Sequence, residues 1–146
     1  MILLLLVAFG LTSATVVLHA LGTLAAIGHL ARIWQQKSQH GGRLTSEIQI
    51  VRTVIILLLL HLAEAGVWAG MYRLFGLLPD METAIYFSLT SYTTVGYGDV
   101  VLPTEWRLLG PMEAAVGILM FGWSTGIMVT VINRVYGDRL RLQTEP

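Results

Sequence analysis

Three long runs of apolar residues, separated by polar breaks, dominate the chain: Ile2 to about Leu30, Ile48 to about Phe75, and Pro103 to about Val135. Each exceeds the roughly 20 apolar residues that a helix needs to cross a hydrocarbon core. The first is roughly 29 residues, or about 43 Å as a helix, which spans that core with tilt or overhang. It carries no Lys or Arg ahead of its apolar part and is too long for a cleaved leader, so a spanning helix is expected. Within it Thr12, Thr15, His19, Gly22, Ala26 and His29 recur at spacings of three and four. This predicts one stripe of small and polar groups laid on the second helix. A fourth stretch, Met81 to about Tyr92, is only about 12 residues and too short to span. Such a helix is tolerated at membrane depth only when protein buries it, as in a re-entrant element.

The breaks set caps and topology. Arg32 to Glu47 holds Arg32, Lys37 and Arg43 with a flexible His40-Gly41-Gly42, and Arg52 follows. Lys and Arg concentrate on the cytoplasmic side, so the first helix is expected to run from outside to inside. Ser46 with Gln49 fits a capping box for the second helix, with Glu47 in its first turn. Gly76 to Pro79 ends that helix, and Asp80 is placed as the N-cap of the short one with Glu82 behind it. The stretch from Arg73 to Arg107 holds Asp80, Glu82, Asp99 and Glu105 against two Arg, as an outer face would. In Pro103-Thr104-Glu105, Thr104 is expected to cap the third run, and Pro111 to bend it by removing the bond to the Arg107 carbonyl. Arg134, Arg139 and Arg141 mark a cytoplasmic end, and Asp138 to Pro146 reads as a short frayed tail.

Composition supports this reading. Hydrophobic residues make up 55% of the chain and charged ones 12%, with mean hydropathy +0.70, values that belong to membrane proteins. The formal net charge is zero, which gives no case for nucleic-acid binding. Without cysteine there is no disulfide framework, thiolate metal site or thiol nucleophile.

Ionisable groups inside the apolar runs stand out, because such groups are costly there. His61 and Glu64 share a face of the second run, and Trp68 continues it. Two accounts stay open: a functional site, or a structural polar cluster between helices. By depth, Glu64 should face Thr12 or Thr15 and His61 should face His19. Glu64 would then accept hydrogen bonds from the first helix or from Thr90, Ser91 or Tyr92. Glu113 lies near the outer end of the third run, where solvation at the interface is expected, with Arg107 or a neighbouring subunit as the alternative partner.

Between the short helix and the third run lies Thr93-Thr94-Val95-Gly96-Tyr97-Gly98-Asp99. Thr94 to Gly98 matches, letter for letter, the signature of the pore domain of tetrameric potassium channels, and the chain resembles that family from about Ile48 to Tyr136. The resemblance implies a homotetramer in which backbone carbonyls replace the ion's hydration shell. Thr94, Val95, Gly96 and Tyr97 would hold K+, with Gly98 at the outer lip. Thr93, Asp99, Thr90 and Tyr92 would support the loop. Gly96 and Gly98 suit the backbone angles this demands. Val95 and Tyr97 would turn outward onto the scaffold, and Thr94 would add its hydroxyl at the inner end. The 81–92 helix would aim its partially negative C-terminus at the ion cavity.

Val116-Gly117-Ile118 and Phe121-Gly122 resemble the family's inner helix. Gly117 stands at the gating-hinge position or serves close packing. Ile118, Phe121, Thr125, Val129 and Asn133 would line the pore, with Phe121 and Val129 forming a dewetting constriction. The chain departs from some family members at Tyr86, Phe87, Thr90 and Tyr92, so gating at the filter is not carried over.

The expected architecture is therefore an all-α membrane protein. Three transmembrane helices accompany a re-entrant pore helix and filter, assembled as a homotetramer, with the N-terminus outside and the C-terminus cytoplasmic. Its parts are an extra helix (1–34), a basic linker (35–47), the pore domain (48–136) and a short tail (137–146). The expected function is passive K+ conduction across the cell membrane, with no catalysis and no cofactor beyond the permeant ion. Arg at every third position is missing from the first helix, so voltage sensing of that kind is not expected, nor is an appended ligand-binding domain. Two other readings are a pore-like subunit of a potassium uptake system and a membrane metal protein using His19, His61 and Glu64. The first is disfavoured by one intact filter per chain, the second by the lack of a second zincin His.

Overall fold

The computed structural model describes the backbone of residues 1–37 and 44–144, and the side chains of residues 1–28, 32 and 48–137. The order is α1 (Ile2–Lys37), α2 (Leu44–Leu74), α3 (Met81–Tyr92), a 3-10 turn (Thr104–Trp106) and α4 (Leu109–Thr144). Ile2–Gly28, Ile48–Leu74 and Thr104–Gly137 are long and apolar enough to cross a membrane. The protein is thus an all-α, three-span, multi-pass membrane protein. Its outward positions are apolar, as lipid requires; Leu21, Leu24, Leu58, Leu59 and Leu119 are all more than half exposed.

Several boundaries differ from the sequence expectation. α1 continues past Leu30 to Lys37, because no Gly or Pro between them stops it and polar side chains propagate a helix well. α2 begins at Leu44, which places Ser46 and Glu47 inside it and removes the capping-box start. The side chains of His29, Lys37, Ser46 and Glu47, and all of His40-Gly41-Gly42 and Arg43, lie outside the described residues. Thr104 opens a 3-10 turn with no side-chain cap, and α4 starts only at Leu109. Pro111 is then its third residue, where a helix has no internal use for the N–H, so no bond to Arg107 is lost and the reason given for a bend falls away. The first α-helical bond runs instead from Met112 N–H to the Leu108 carbonyl at 3.2 Å. α4 also passes Val135 and continues to Thr144. The expected tail is helical that far; its side chains and residues 145–146 lie outside the description.

α1 buries Leu4, Ala8, Thr15, His19, Thr23 and Ala26 along one stripe. The expected stripe is largely realised, but it serves two helices rather than one. Trp68 Nε1 donates to Thr15 Oγ1 at 3.0 Å, which joins α1 to α2. The His19 ring lies edge-on to Trp123 at 5.3 Å, which joins it to α4. The depth estimate holds in part: His61 lies beside His19 as expected, the rings 5.5 Å apart, while Glu64 meets His19 and Thr15 meets Trp68, one turn from the expected Glu64–Thr15 pairing. Close approach sets this register. A Cβ at Gly22 would lie 2.6 Å from Leu60 Cδ1, so the leucine seats where the glycine leaves room.

α3 sits between α2 and α4. Its Phe87 meets Tyr72 edge-on at 5.2 Å, and Trp68, Tyr72, Tyr92, Leu102 and Leu109 around it are fully buried. Aromatic bulk at this junction fixes the short helix without requiring it to span.

Candidate functional site

α3 starts as its sequence requires. Asp80 caps it, accepting from Thr83 N–H at 2.7 Å and from Thr83 Oγ1 at 2.9 Å. These bonds hold the Asp80 carboxyl below its usual range, the backbone N–H acting most. The helix ends by folding the next residues back onto its last carbonyls. Thr93 N–H reaches Leu89 O at 3.0 Å, Thr94 N–H reaches Ser91 O at 2.9 Å, and Gly96 N–H reaches Thr90 O at 3.0 Å. The 93–99 segment is thereby anchored to the C-terminal turn of α3.

Within the segment φ is positive at every second residue: Thr94 at 63°, Gly96 at 50° and Gly98 at 79°. Glycine accepts this freely, but Thr94 holds it at a cost of about 1 kcal/mol or more. The sequence pointed to the two glycines; the strained threonine was not foreseen, because threonine has no preference for that region. Tyr86 Oη donates to Asp99 Oδ2 at 2.7 Å, tying the far end of the segment to α3. That bond is the main reason the Asp99 carboxyl sits below its usual range. Val95 is 51% and Tyr97 73% exposed, so the expected packing of these side chains on scaffold does not occur within one chain. Beside them an open groove of about 320 Å³ runs along Phe87, Ser91, Thr94, Gly96 and Gly110. Thr90 and Thr93 turn their hydroxyls to the helix carbonyls of Phe87 and Leu89 at 3.0 and 2.6 Å.

Behind the segment the ionisable residues close into a ring that touches all four helices. His19 Nδ1 lies 2.8 Å from Glu64 Oε1, and Tyr92 Oη donates to Glu64 Oε2. His61 Nδ1 lies 3.1 Å from Tyr92 Oη. Ser124 Oγ stands 3.0 Å from His61 Nε2 and 3.4 Å from His19 Nε2. Thus Glu64 draws on the first helix, as expected, but through His19, and on the end of α3 through Tyr92. Metal-capable atoms of His19, His61 and Glu64 fall within 4.8 Å of one another. The same nitrogens and oxygens form the ring, so a cation there would have to displace its hydrogen bonds. Ser124 had no sequence signal: a lone serine in an apolar run acquires meaning only when two imidazoles converge on it.

Glu113 departs from expectation. It is fully buried, not solvated at an interface, and Arg107 is exposed at the end of the 3-10 turn. Tyr72 Oη donates to Glu113 Oε2 at 2.6 Å, and Ser88 Oγ lies 2.5 Å from Oε1. The first turns of α4 face α2 and α3 rather than water, which spacing along one helix does not reveal.

Gly117 is in the tightest contact of the site. A Cβ there would lie 2.0 Å from the Tyr92 carbonyl oxygen and 3.0 Å from its carbon. Of the two accounts the sequence left open, this geometry carries close packing. Ile118, Thr125 and Val129 share an open face of α4, with Ile118 59% and Val129 51% exposed. Asn133 is exposed as well. Phe121 lies at the seam, its ring 4.5 Å from His61 and 5.5 Å from Tyr92. Thr125 donates its hydroxyl to the Phe121 carbonyl at 2.8 Å.

A three-span fold with a short, capped helix leading into an anchored glycine-containing loop defines a membrane protein of the pore-module class. The comparisons agree: the family model described as "Ion channel" matches residues 54–134, and the chain belongs to that family. That match takes in α3, the 93–99 segment and most of α2 and α4, and leaves α1 outside. The family is one of channels, not of catalysts. No curated protein and no solved structure matched the chain.

Proposed function

We propose that this protein is a potassium-selective channel in which four copies surround a common axis. In this reading residues 48–136 form the pore domain, α3 is the re-entrant pore helix and 93–99 is the filter. One observation supports it most: positive φ at Thr94, Gly96 and Gly98 within a Thr-Val-Gly-Tyr-Gly sequence. Alternating backbone sign along a chain turns successive carbonyls toward the same side, and a column of carbonyls is what replaces a potassium ion's water. Thr94, Val95, Gly96 and Tyr97 then supply the ion sites, and no cofactor is involved beyond the permeant K+.

Assembly accounts for what one chain leaves open. The exposed Tyr97 and Val95 side chains and the groove between α3 and α4 are surfaces for a neighbouring copy to cover. Ile118, Thr125 and Val129 on the open face of α4, with Phe121 at its seam, would line the passage. Arg32, Arg52 and Arg134 lie toward the end of α1, the start of α2 and the end of α4, and this basic bias supports a cytoplasmic C-terminus with the N-terminus outside.

The test is reconstitution of the purified chain in liposomes, comparing flux under potassium and sodium gradients. Potassium flux well above sodium flux is expected. Equal passage of both ions, or a monomer that carries neither, would refute the reading.

A further inference from the structure

Two carboxylates among the described residues are buried between the helices, Glu64 and Glu113, and they differ in their neighbours. Glu64 has two imidazoles beside it. Glu113 has none. Its hydrogen-bond partners are the hydroxyls of Tyr72, from α2, and Ser88, from α3. Tyr92 of α3 gives its hydroxyl to Glu64, and Leu4 and Ala8 of α1 in the same core cluster are apolar.

The hydrogens at this site can be counted. Three contacts need one each: Tyr72 Oη to Glu113 Oε2 at 2.6 Å, Ser88 Oγ to Glu113 Oε1 at 2.5 Å, and Ser88 Oγ to the Ala65 carbonyl at 2.6 Å. Tyr72 brings one hydrogen and Ser88 brings one. A carboxylate brings none, since it only accepts. With Glu113 ionised, Ser88 would donate to one oxygen and press its lone pairs against the other at 2.5 or 2.6 Å. The carboxylic acid supplies the missing hydrogen. Its O–H donates to Ser88 Oγ, Ser88 then donates to the Ala65 carbonyl, and Tyr72 donates to the acid's other oxygen. Every contact is filled and no net charge is left in a fully buried place.

We propose that Glu113 is a proton-binding site, held as the neutral acid, whose proton fastens α4 to α3 and, through Ser88 and Ala65, to α2. The site lies one helical turn before Gly117, where α4 touches the Tyr92 carbonyl at the start of the 93–99 segment. Loss of the proton in alkaline medium leaves a buried anion and one contact without a hydrogen, which loosens α3 from α4. The consequence for ion flux rests on the channel reading above; the protonation state does not.

Infrared difference spectroscopy of the full chain in lipid bilayers, titrated from neutral to alkaline pH, tests the proton directly. A protonated-carboxyl C=O band is expected at neutral pH, present in Glu64→Gln, missing from Glu113→Gln, and lost as pH rises. Glu113→Gln should keep the wild-type unfolding midpoint, because its amide donates to Ser88 and its carbonyl accepts from Tyr72 as the acid does. Ser88→Ala should keep the band but shift it, since the acid loses its acceptor. No band at neutral pH, or a band that survives Glu113→Gln, overturns the proposal. Liposome flux supplies the second readout. Wild-type potassium flux should fall as the band disappears and stay level across the same range in Glu113→Gln. Flux that ignores the band overturns the coupling. A normal band with no potassium flux at any pH counts against the channel reading and leaves the proton site standing.

Discussion

Replacing Gly117 with alanine separates two accounts of this residue and measures how tightly α4 supports the 93–99 segment. The added Cβ would lie 2.0 Å from the Tyr92 carbonyl oxygen and 3.0 Å from the carbonyl carbon. Ordinary contact begins at 3.4 Å, so α4 and the end of α3 must separate by roughly 1.4 Å, the difference of those distances at the oxygen. The obstacle is backbone, with no rotamer to turn aside, and Tyr92 is held by its own hydroxyl bond to Glu64. Overpacking of this kind costs about 1–3 kcal/mol, against a helix-propensity gain of up to about 1 kcal/mol for Gly→Ala. With that gain subtracted, a net loss of up to about 2 kcal/mol is expected, with a fall in potassium flux because residues 93–99 follow directly from the displaced turn. The assay pairs thermal unfolding of the purified protein with liposome flux. Gly10→Ala is the control, since a Cβ there meets nothing within 4 Å. If Gly117→Ala proved as stable as wild type and conducted potassium as well, the contact would not be what holds this junction.

Other outcomes follow from the same geometry. Gly96→Ala should abolish selective potassium flux at a folding cost of about 1–2 kcal/mol: the site has open space around it but a φ of +50°. Normal current from that variant would contradict the carbonyl mechanism. Trp68→Phe and Thr15→Val each remove the one bond between those side chains. A double-mutant cycle on unfolding should give a coupling of about 0.6 kcal/mol, and no more than about 1.7; zero coupling would detach α1 from this account. Tyr86→Phe should raise the Asp99 titration midpoint toward that of an ordinary carboxylate, followed by carboxyl-carbon NMR. Asp80, held down by Thr83 instead, should not move. Because the folded Asp99 carboxyl is depressed, its contribution is complete above the ordinary carboxylate range and fades as pH falls through the lowered value. A Tyr86→Phe variant with the wild-type Asp99 midpoint would show that the hydroxyl is not the cause.

Features that depend on local chemistry and length were legible along the chain. Apolar runs long enough for a bilayer gave three spans, and a 12-residue stretch gave a helix that cannot span. Asp80 announced its own cap, and the Thr-Val-Gly-Tyr-Gly motif marked the segment on which function is proposed to rest. Helix ends were less legible around the polar break, where α1 runs on to Lys37 and α2 starts at Leu44, because polar residues there suit a helix as well as a loop. The position of Thr104 could not reveal that a 3-10 turn would intervene before Leu109. Only the tertiary structure decided what the buried polar residues do. Periodicity shows which face of a helix is polar, but the partner of His19, Glu64 or Glu113 depends on the register and rotation of other helices. Spacing brought His61 to His19, but only packing gave Glu64 the same histidine rather than Thr15. Likewise, small-residue spacing along α4 does not tell which of Gly117, Gly122 and Gly126 packs closely; the Tyr92 carbonyl beside Gly117 does. Close approach and hydrogen-bond closure are properties of pairs distant in the chain, and they exist only once the helices have packed.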